Sequence, residues 1–248
     1  VLVGPPSLFD SLLMSGPAGT AALSCMRLAS LGSTTILPEL VTKLLEAGVE
    51  SIASGYGMTE CGSISSAVHS MGIDVVANTV GKPEFGIEVK LVDDAGVTVP
   101  YGETGEIWIK GYCVSSGYYE DEPRSVESFT AEGWLKSGDL GRWTSEGHLQ
   151  IRGRKKDVII IHGYTIYPAE VERLLMQSGM LDGVSVIGVP SVFSGQECAA
   201  FVKPSADDEF DLRSFRRWAK ANIAVYKVPT RVVIIDKLPL NKNGKVDK

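Results

Sequence analysis

Cysteine, histidine and net positive charge are all scarce in this chain, and each shortage removes a class of function. Four cysteines, Cys25, Cys61, Cys113 and Cys198, lie far apart with no C-x-x-C pair. They read as reduced thiols of a cytoplasmic protein, not as a disulfide framework. The three histidines, His69, His148 and His162, show no metal-ligand spacing. The formal charge is −6, from 24 basic and 30 acidic residues, which argues against the basic face that non-specific nucleic-acid binding needs. No apolar run approaches the length of a membrane span. What remains is an ordinary globular composition, 44% hydrophobic and 22% charged over 248 residues, long enough for one large domain or two small ones. The chain begins at Val1 without methionine or signal peptide and stops after Val246-Asp247-Lys248, so it is expected to be a piece of a longer protein.

The patterns along the chain change character twice. Residues 5–13 suit a helix with proline at its start and Leu8, Phe9, Leu12 and Leu13 on one face. Residues 15–20 are glycine-rich but lack a lysine and a strand-loop-helix setting, and are read as a connector, not as a phosphate loop. Residues 26–31 read as a buried strand, and residues 38–47 as an amphipathic helix stopped by Gly48. From residue 80 to 149 short alternating strands and glycine turns predict a small antiparallel barrel or sandwich. Beyond it, residues 158–161, 184–189, 198–202 and 232–235 read as strands. Helices are expected from Pro168, and after an Asp211 cap with Leu212, Phe215, Trp218 and Ala219 facing the core.

Several local sequences carry chemistry. In S-I-A-S-G-Y-G-M-T-E-C-G, residues 51–62, Gly55 and Gly57 flank Tyr56, which would let a flat ligand reach the ring. Thr59 and Glu60 pair a hydroxyl with a carboxylate, suited to phosphate oxygens and a hard cation such as Mg²⁺. Asp139 stands in S-G-D-L. Residues 153–165, G-R-K-K-D-V-I-I-I-H-G-Y-T, set Arg154, Lys155 and Lys156 just before an apolar run. Lys245 lies in a glycine turn within N-G-K-V-D-K.

Taken together and in order, these motifs resemble the adenylate-forming enzymes: acyl-CoA synthetases, aryl-CoA ligases, luciferases and the adenylation domains of peptide synthetases. Y-G-M-T-E matches residue for residue. V-G-x-P, G-E-x-G-E-I and G-Y-Y follow at residues 80–83, 102–107 and 117–119, and the resemblance runs over essentially the whole chain. It implies an α/β and α+β multidomain protein. Residues 1–155 would be the end of the large N-terminal domain, α/β over 1–79 and barrel-like over 80–155. Residues 156–248 would be a small mobile α+β C-terminal domain.

The resemblance also implies an activity. A carboxylic acid would be activated by ATP as an acyl-adenylate, and a thiol, of coenzyme A or of a carrier protein's phosphopantetheine, would then displace AMP. Tyr56 would stack on adenine, with Gly32 and Ser33 against the other face and Gly57 and Met58 beside it. Thr59 would contact phosphate and Glu60 would hold Mg²⁺. Asp139 and Arg154 would bond the ribose hydroxyls, the carboxylate as acceptor. Lys245 would bridge the reacting carboxylate and the α-phosphate. Lys156 would be the hinge about which the small domain swings between half-reactions. Gly163 and Tyr164 would line the pantetheine path, and part of the acyl pocket would fall to Ser33, Gly55, Met58, Cys61 and Gly62. A carrier-protein acyl-AMP ligase is the alternative reading.

Three departures stand out. The family's Ser/Thr/Gly-rich phosphate loop is absent, so the isolated chain is expected to be inactive without the missing N-terminal part. The turn before the second expected helix reads L-G-S-T where many members carry G-G-A-P. Thr165 replaces an arginine or glutamine common in relatives.

Overall fold

A computed structural model describes residues 1–32, 36–192, 194–205, 210–241 and 246–248. Ser33 and Lys245 lie outside the described residues. The chain forms two compact units, Val1–Ile151 and Arg152–Lys248.

In the first unit, β1 (Leu2–Gly4), α1 (Pro6–Met14), α2 (Gly16–Ser24), β2 (Ala29–Leu31), α3 (Pro38–Glu46), β3 (Ile52–Met58), β4 (Gly62–Val68), α4 (Ile73–Asn78) and β5 (Lys82–Pro83) build one layer of sheet with its helices. The strand order is β1-β2-β3-β4-β5; β1, β2 and β3 run parallel and β4 and β5 antiparallel. In α3, Pro38 in the first turn fixes a helical φ, and the spacing of Leu40, Val41 and Leu44 puts all three on the buried face. They close against Phe9, Leu23 and Ile52. Each such side chain removed from water contributes about 1.5–3 kcal/mol.

The expected connector at residues 15–20 is instead the start of α2. Gly19 is the reason. A Cβ there would overlap the Leu12 carbonyl, so glycine lets α1 and α2 meet backbone to backbone while Leu23 fills the core. The glycines that suggested a loop are a packing device.

The second sheet contains β6 (Ile87–Val92), β7 (Thr104–Gly111), β8 (Leu135–Trp143) and β9 (Leu149–Arg154), with the short helix α5 (Glu122–Ser128) between β7 and β8. Ile87, Leu91, Ile107, Ile109, Leu135 and Leu149 cover one face. Its order, β6-β7-β8-β9, is an open meander. The expected barrel is not closed among the described residues. The start of β9 is taken up by residues coming off the first sheet: Val80 N–H donates to the Leu149 carbonyl at 2.8 Å, and Leu149 N–H to that of Gly81 at 2.7 Å. Backbone groups so occupied cannot complete a ring with β6.

The second unit opens with a 3₁₀ turn, Lys155–Asp157, and the hairpin β10 (Ile159–Ile161) and β11 (Tyr164–Ile166). Then come α6 (Pro168–Met176), β12 (Leu181–Ser191), β13 (Gly195–Pro204), α7 (Leu212–Asn222) and β14 (Arg231–Ile234). β12 and β13 are antiparallel and β14 joins parallel. Asp211 caps α7 by accepting from Arg213 N–H at 2.9 Å and Ser214 N–H at 3.1 Å. Such a cap contributes about 1 kcal/mol. Phe215 and Ala219 of α7 meet Val171 and Leu175 of α6 in a core with Ile159, Ile166, Val186 and Val202.

Candidate active site

The carboxyl ends of the parallel strands β2 and β3 set up the site, which is where open α/β sheets bind ligands. Leu31 pairs with Ser54, so Gly32, just past the end of β2, lies beside Gly55, where the parallel pairing of β3 stops. A Cβ on Gly32 would stand 3.8 Å from the Gly55 carbonyl oxygen, and Gly32 N–H is held by the Gly4 carbonyl at 3.2 Å.

β3 and β4 form a hairpin with a bulge between Tyr56 and Gly57 and a loop at residues 59–61. Gly62, at φ +64°, supplies the left-handed residue that a three-residue hairpin loop uses. The Cys61 N–H donates to the Met58 carbonyl at 3.1 Å and Ser115 N–H to that of Glu60 at 2.8 Å, tying the loop down from both sides. The loop thereby presents an exposed Thr59 beside a half-buried Glu60. A Cβ on Gly57 would overlap the Gly62 carbonyl, so no other residue fits that strand position without moving the hairpin.

Asp139 arrives on β8. The register between β7 and β8 shifts between Glu106 and Trp108, leaving Ser137, Gly138 and Asp139 as a bulge. A bulge re-aims side chains. Here Gly138, at φ +71°, takes the turn, and its N–H donates to the buried Glu106 carboxylate at 3.2 Å. Ser137 Oγ accepts the Asp139 N–H at 3.1 Å. Asp139 Oδ2 then accepts the Tyr56 hydroxyl at 2.6 Å. Burial, and next the Asp139 charge and this bond, push the Tyr56 hydroxyl far above its ordinary value, so it is a donor at any physiological pH. Residues 83 positions apart in sequence thus share one hydrogen bond, with Asp139 itself only 7% exposed.

Glu60 has a partner that sequence reasoning missed. Tyr118, in the middle of G-Y-Y, donates its hydroxyl to Glu60 Oε1 at 2.7 Å. Tyr118 is itself held: Ser125 Oγ accepts its N–H at 2.8 Å, the Arg124 guanidinium lies 4.5 Å from its ring centre, and Phe129 packs edge-on at 5.9 Å. The bond to Glu60 first, and burial second, raise the Tyr118 hydroxyl above its ordinary value. Glu106, Ser137 and Tyr118 all stand in motifs noted above, but their glycines drew attention to turns instead of to the side chains.

A hard cation fits what is here in one way. Among the described residues no cluster of three or more His, Cys, Asp or Glu forms a cage. One carboxylate and one hydroxyl on a loop suit an ion that keeps its waters and borrows phosphate oxygens from a nucleotide, as Mg²⁺ does.

The remaining candidates belong to the second unit. Arg154 ends β9 and is exposed; Lys156 is exposed in the Lys155–Asp157 turn. Gly163 and His162 form the two-residue turn between Ile161 and Tyr164, at φ +82° and +49°. Two positive φ values define the hairpin turn that matches strand twist. Nothing lies within 4 Å of where a Gly163 Cβ would be. Its glycine is therefore favoured by backbone angle and not by crowding.

The similarity to known proteins follows the same division. Residues 1–119 match the AMP-binding enzyme family, and residues 170–245 match the AMP-binding enzyme C-terminal domain. The chain belongs to the adenylate-forming, AMP-binding enzyme superfamily. It is 33% identical to the long-chain-fatty-acid–CoA ligase of Escherichia coli O6:H1, over 99% of this chain and 43% of that protein. Among solved structures it is similar to the amide bond synthetase McbA of Marinactinospora thermotolerans, with a TM-score of 0.88 and 28% identity, over 99% of this chain and 50% of that one. It is also similar to the o-succinylbenzoate coenzyme A synthetase of Bacillus subtilis in complex with ATP and magnesium ion, with a TM-score of 0.85 and 30% identity, over 98% of this chain and 49% of that one. The chain spans about half the length of the relatives it matches.

Proposed function

We propose that the intact protein is a cytoplasmic, AMP-forming acyl-CoA synthetase, to which this chain contributes the nucleotide site and the C-terminal unit. The observation that carries this is the bond from Tyr56 to Asp139 beside the Thr59-Glu60 loop. It sets an aromatic ring and a carboxylate beside a loop with a hydroxyl and a second carboxylate, which supports reading them as adenine, ribose, phosphate and cation contacts. The acyl-CoA ligases among the relatives support the reaction class, and the four free cysteines support the compartment.

In the first half-reaction a substrate carboxylate oxygen attacks the α-phosphorus of ATP, and pyrophosphate leaves with the electrons of the broken P–O bond. In the second, a thiol sulfur attacks the acyl carbonyl, its proton is lost, and AMP leaves. The residues mostly position and neutralise charge. Tyr56 stacks on adenine with Gly32, Ser33, Gly57 and Met58 around it. Asp139 and Arg154 accept from and donate to the ribose hydroxyls. Thr59 bonds a phosphate oxygen, and Glu60 would hold Mg²⁺, which supplies charge neutralisation when bound. Lys245 bridges the carboxylate and the α-phosphate. Lys156 is the hinge, and Gly163 and Tyr164 border the pantetheine arm of coenzyme A.

The test uses the full-length protein with ATP, Mg²⁺ and a panel of carboxylic acids, with and without coenzyme A, read by mass spectrometry. Acyl-CoA from one acid class is the expected product. Acyl-adenylate that ignores coenzyme A would replace this reading with a ligase serving a carrier protein. Lys245→Ala should slow adenylation about 10²–10³-fold while thioester formation from supplied acyl-adenylate persists; equal loss of both halves would refute that role.

A further inference from the structure

In the second unit, Lys248 is tied to the open edge of β12. Its Nζ lies 2.6 Å from Glu172 Oε1, and that oxygen also accepts the Val186 N–H at 2.7 Å. Lys248 Nζ in turn donates to the Val186 carbonyl at 3.3 Å. β12 is an outer strand of its three-stranded sheet, so the two side chains satisfy both backbone groups of Val186 where a neighbouring strand would. Those side chains are only 25% and 20% exposed. A charge-assisted bond shielded to that degree holds its geometry better than a surface ion pair, which contributes little.

The chain leading into this region is tied as well. Asp247 N–H donates to the Pro239 carbonyl at 2.9 Å, and Leu240 pairs antiparallel with Val246. Leu238 Cδ1 packs on Gly183, 3.0 Å from where a Cβ would be. Gly183 and Val186 are three positions apart on β12, about 10 Å along the strand, so both legs of the segment rest on one strand. Lys245 directly precedes Val246 in sequence. An ion pair beside a short connection is ordinarily a packing feature. This one stands three positions after the lysine proposed above to bridge the carboxylate and the α-phosphate, and it anchors the leg that follows it.

We propose that Lys248 is a positioning residue for Lys245: held by Glu172 and the Val186 carbonyl, it fixes the chain at Val246 and so the point from which the Lys245 side chain departs during adenylation. This rests on the bridging role proposed for Lys245. A lysine acts as a point charge on a flexible stem, so its aim depends on where its backbone is fixed. Catalysis by positioning loses about 10²-fold for a misplacement of about 1 Å. Thioester formation does not use Lys245 and is independent of Lys248.

The experiment uses the full-length enzyme with ATP, Mg²⁺ and the acid selected from the panel. Pyrophosphate exchange reads adenylation, and thioester formation from supplied acyl-adenylate is read separately. Lys248→Met keeps the length of the side chain and removes its charge. It should lower the adenylation kcat about 10–100-fold, with KM for ATP and for the acid unchanged and thioester formation unaltered. Lys248→Arg, which keeps a cation, should recover most of the rate. Glu172→Gln should lower adenylation in the same selective way, and the double variant should be no worse than Lys248→Met alone, because partners in one contact are not additive. Should Lys248→Met not fold, Glu172→Gln and Lys248→Arg carry the same comparison. Additive losses, an equal loss in both half-reactions or no rescue by arginine would mark a structural role and overturn the proposal. Unaltered adenylation in Lys248→Met beside a crippled Lys245→Ala overturns this inference alone. A Lys245→Ala enzyme that adenylates normally overturns the bridging role and this inference together.

Discussion

Gly57 and Gly163 both sit at hairpins in stretches that point to ligand chemistry, yet the backbone asks different things of them. At Gly57 a side chain would overlap the Gly62 carbonyl across the hairpin. At Gly163 the space is open, and the constraint is a φ of +82° beside His162 at +49°. A glycine kept for space tolerates nothing larger; one kept for angle tolerates residues that accept left-handed backbone. The first hairpin is locked by contact, the second by conformation. Tyr56 and Tyr164 stand next to these glycines, so the difference governs how each ring can be perturbed.

The most damaging test of this contrast is Gly57→Ala. The β3–β4 hairpin would have to part, at a cost of about 3 kcal/mol, and nucleotide binding should vanish with it. Urea unfolding and ATP titration measure the two effects. An unchanged midpoint would mean the close approach is not what selects glycine. Gentler is Asp139→Asn, which keeps the shape of the side chain but weakens the acceptor of the Tyr56 hydroxyl. Bonds to a charged partner contribute about 1.5–3 kcal/mol, so with Asp139 also accepting the ribose hydroxyls as proposed, ATP affinity should fall roughly 10–100-fold, alongside some loss of stability from the weakened Tyr56 bond. Tyr56→Phe, which keeps the ring, should cost less than Asp139→Asn; the reverse order would locate the ribose acceptor elsewhere.

At the second hairpin the prediction is a split between two substitutions. Gly163→Val should cost about 1–2 kcal/mol because a β-branched residue resists positive φ. Gly163→Asn should cost a few tenths, since asparagine enters that region readily. Equal costs would show that the turn selects on something other than angle.

The same distinction explains what could be read before any coordinates. α3, α6 and the Asp211 cap of α7 announce themselves because local pattern and burial agree: proline at the start, leucine or valine at helical spacing, aspartate before the first turn. α2 was hidden because Gly19 serves a neighbour, Leu12, that no local pattern reveals. The barrel expectation failed for a similar reason. Alternating strands predict a sheet, but whether it closes depends on which backbone groups are already taken, here by Val80 and Gly81. At the candidate site, motif chemistry singled out Tyr56, Glu60 and Asp139, and the structure joins Tyr56 to Asp139. Glu106 and Tyr118 were not, since their partners, Gly138 and Glu60, come from distant strands and loops.

The smallest effect concerns the two units' buried thiols. Burial pushes Cys61 in the first unit up to about 11 and Cys198 in the second up to about 12. A thiol ionises more readily once unfolded, so its folded value lies above its unfolded one. The stability it lends is therefore whole below the ordinary thiol range near 9 and is lost as pH climbs through the folded value. Stability should decline from about pH 9 upward. Cys198→Ala removes one of the two groups: it should cost some packing at neutral pH yet make the alkaline decline shallower, as read from urea midpoints between pH 8 and pH 11. A decline just as steep would place the alkaline sensitivity in the first unit, with Cys61 and the Tyr56 hydroxyl, whose pairing with Asp139 raises it further.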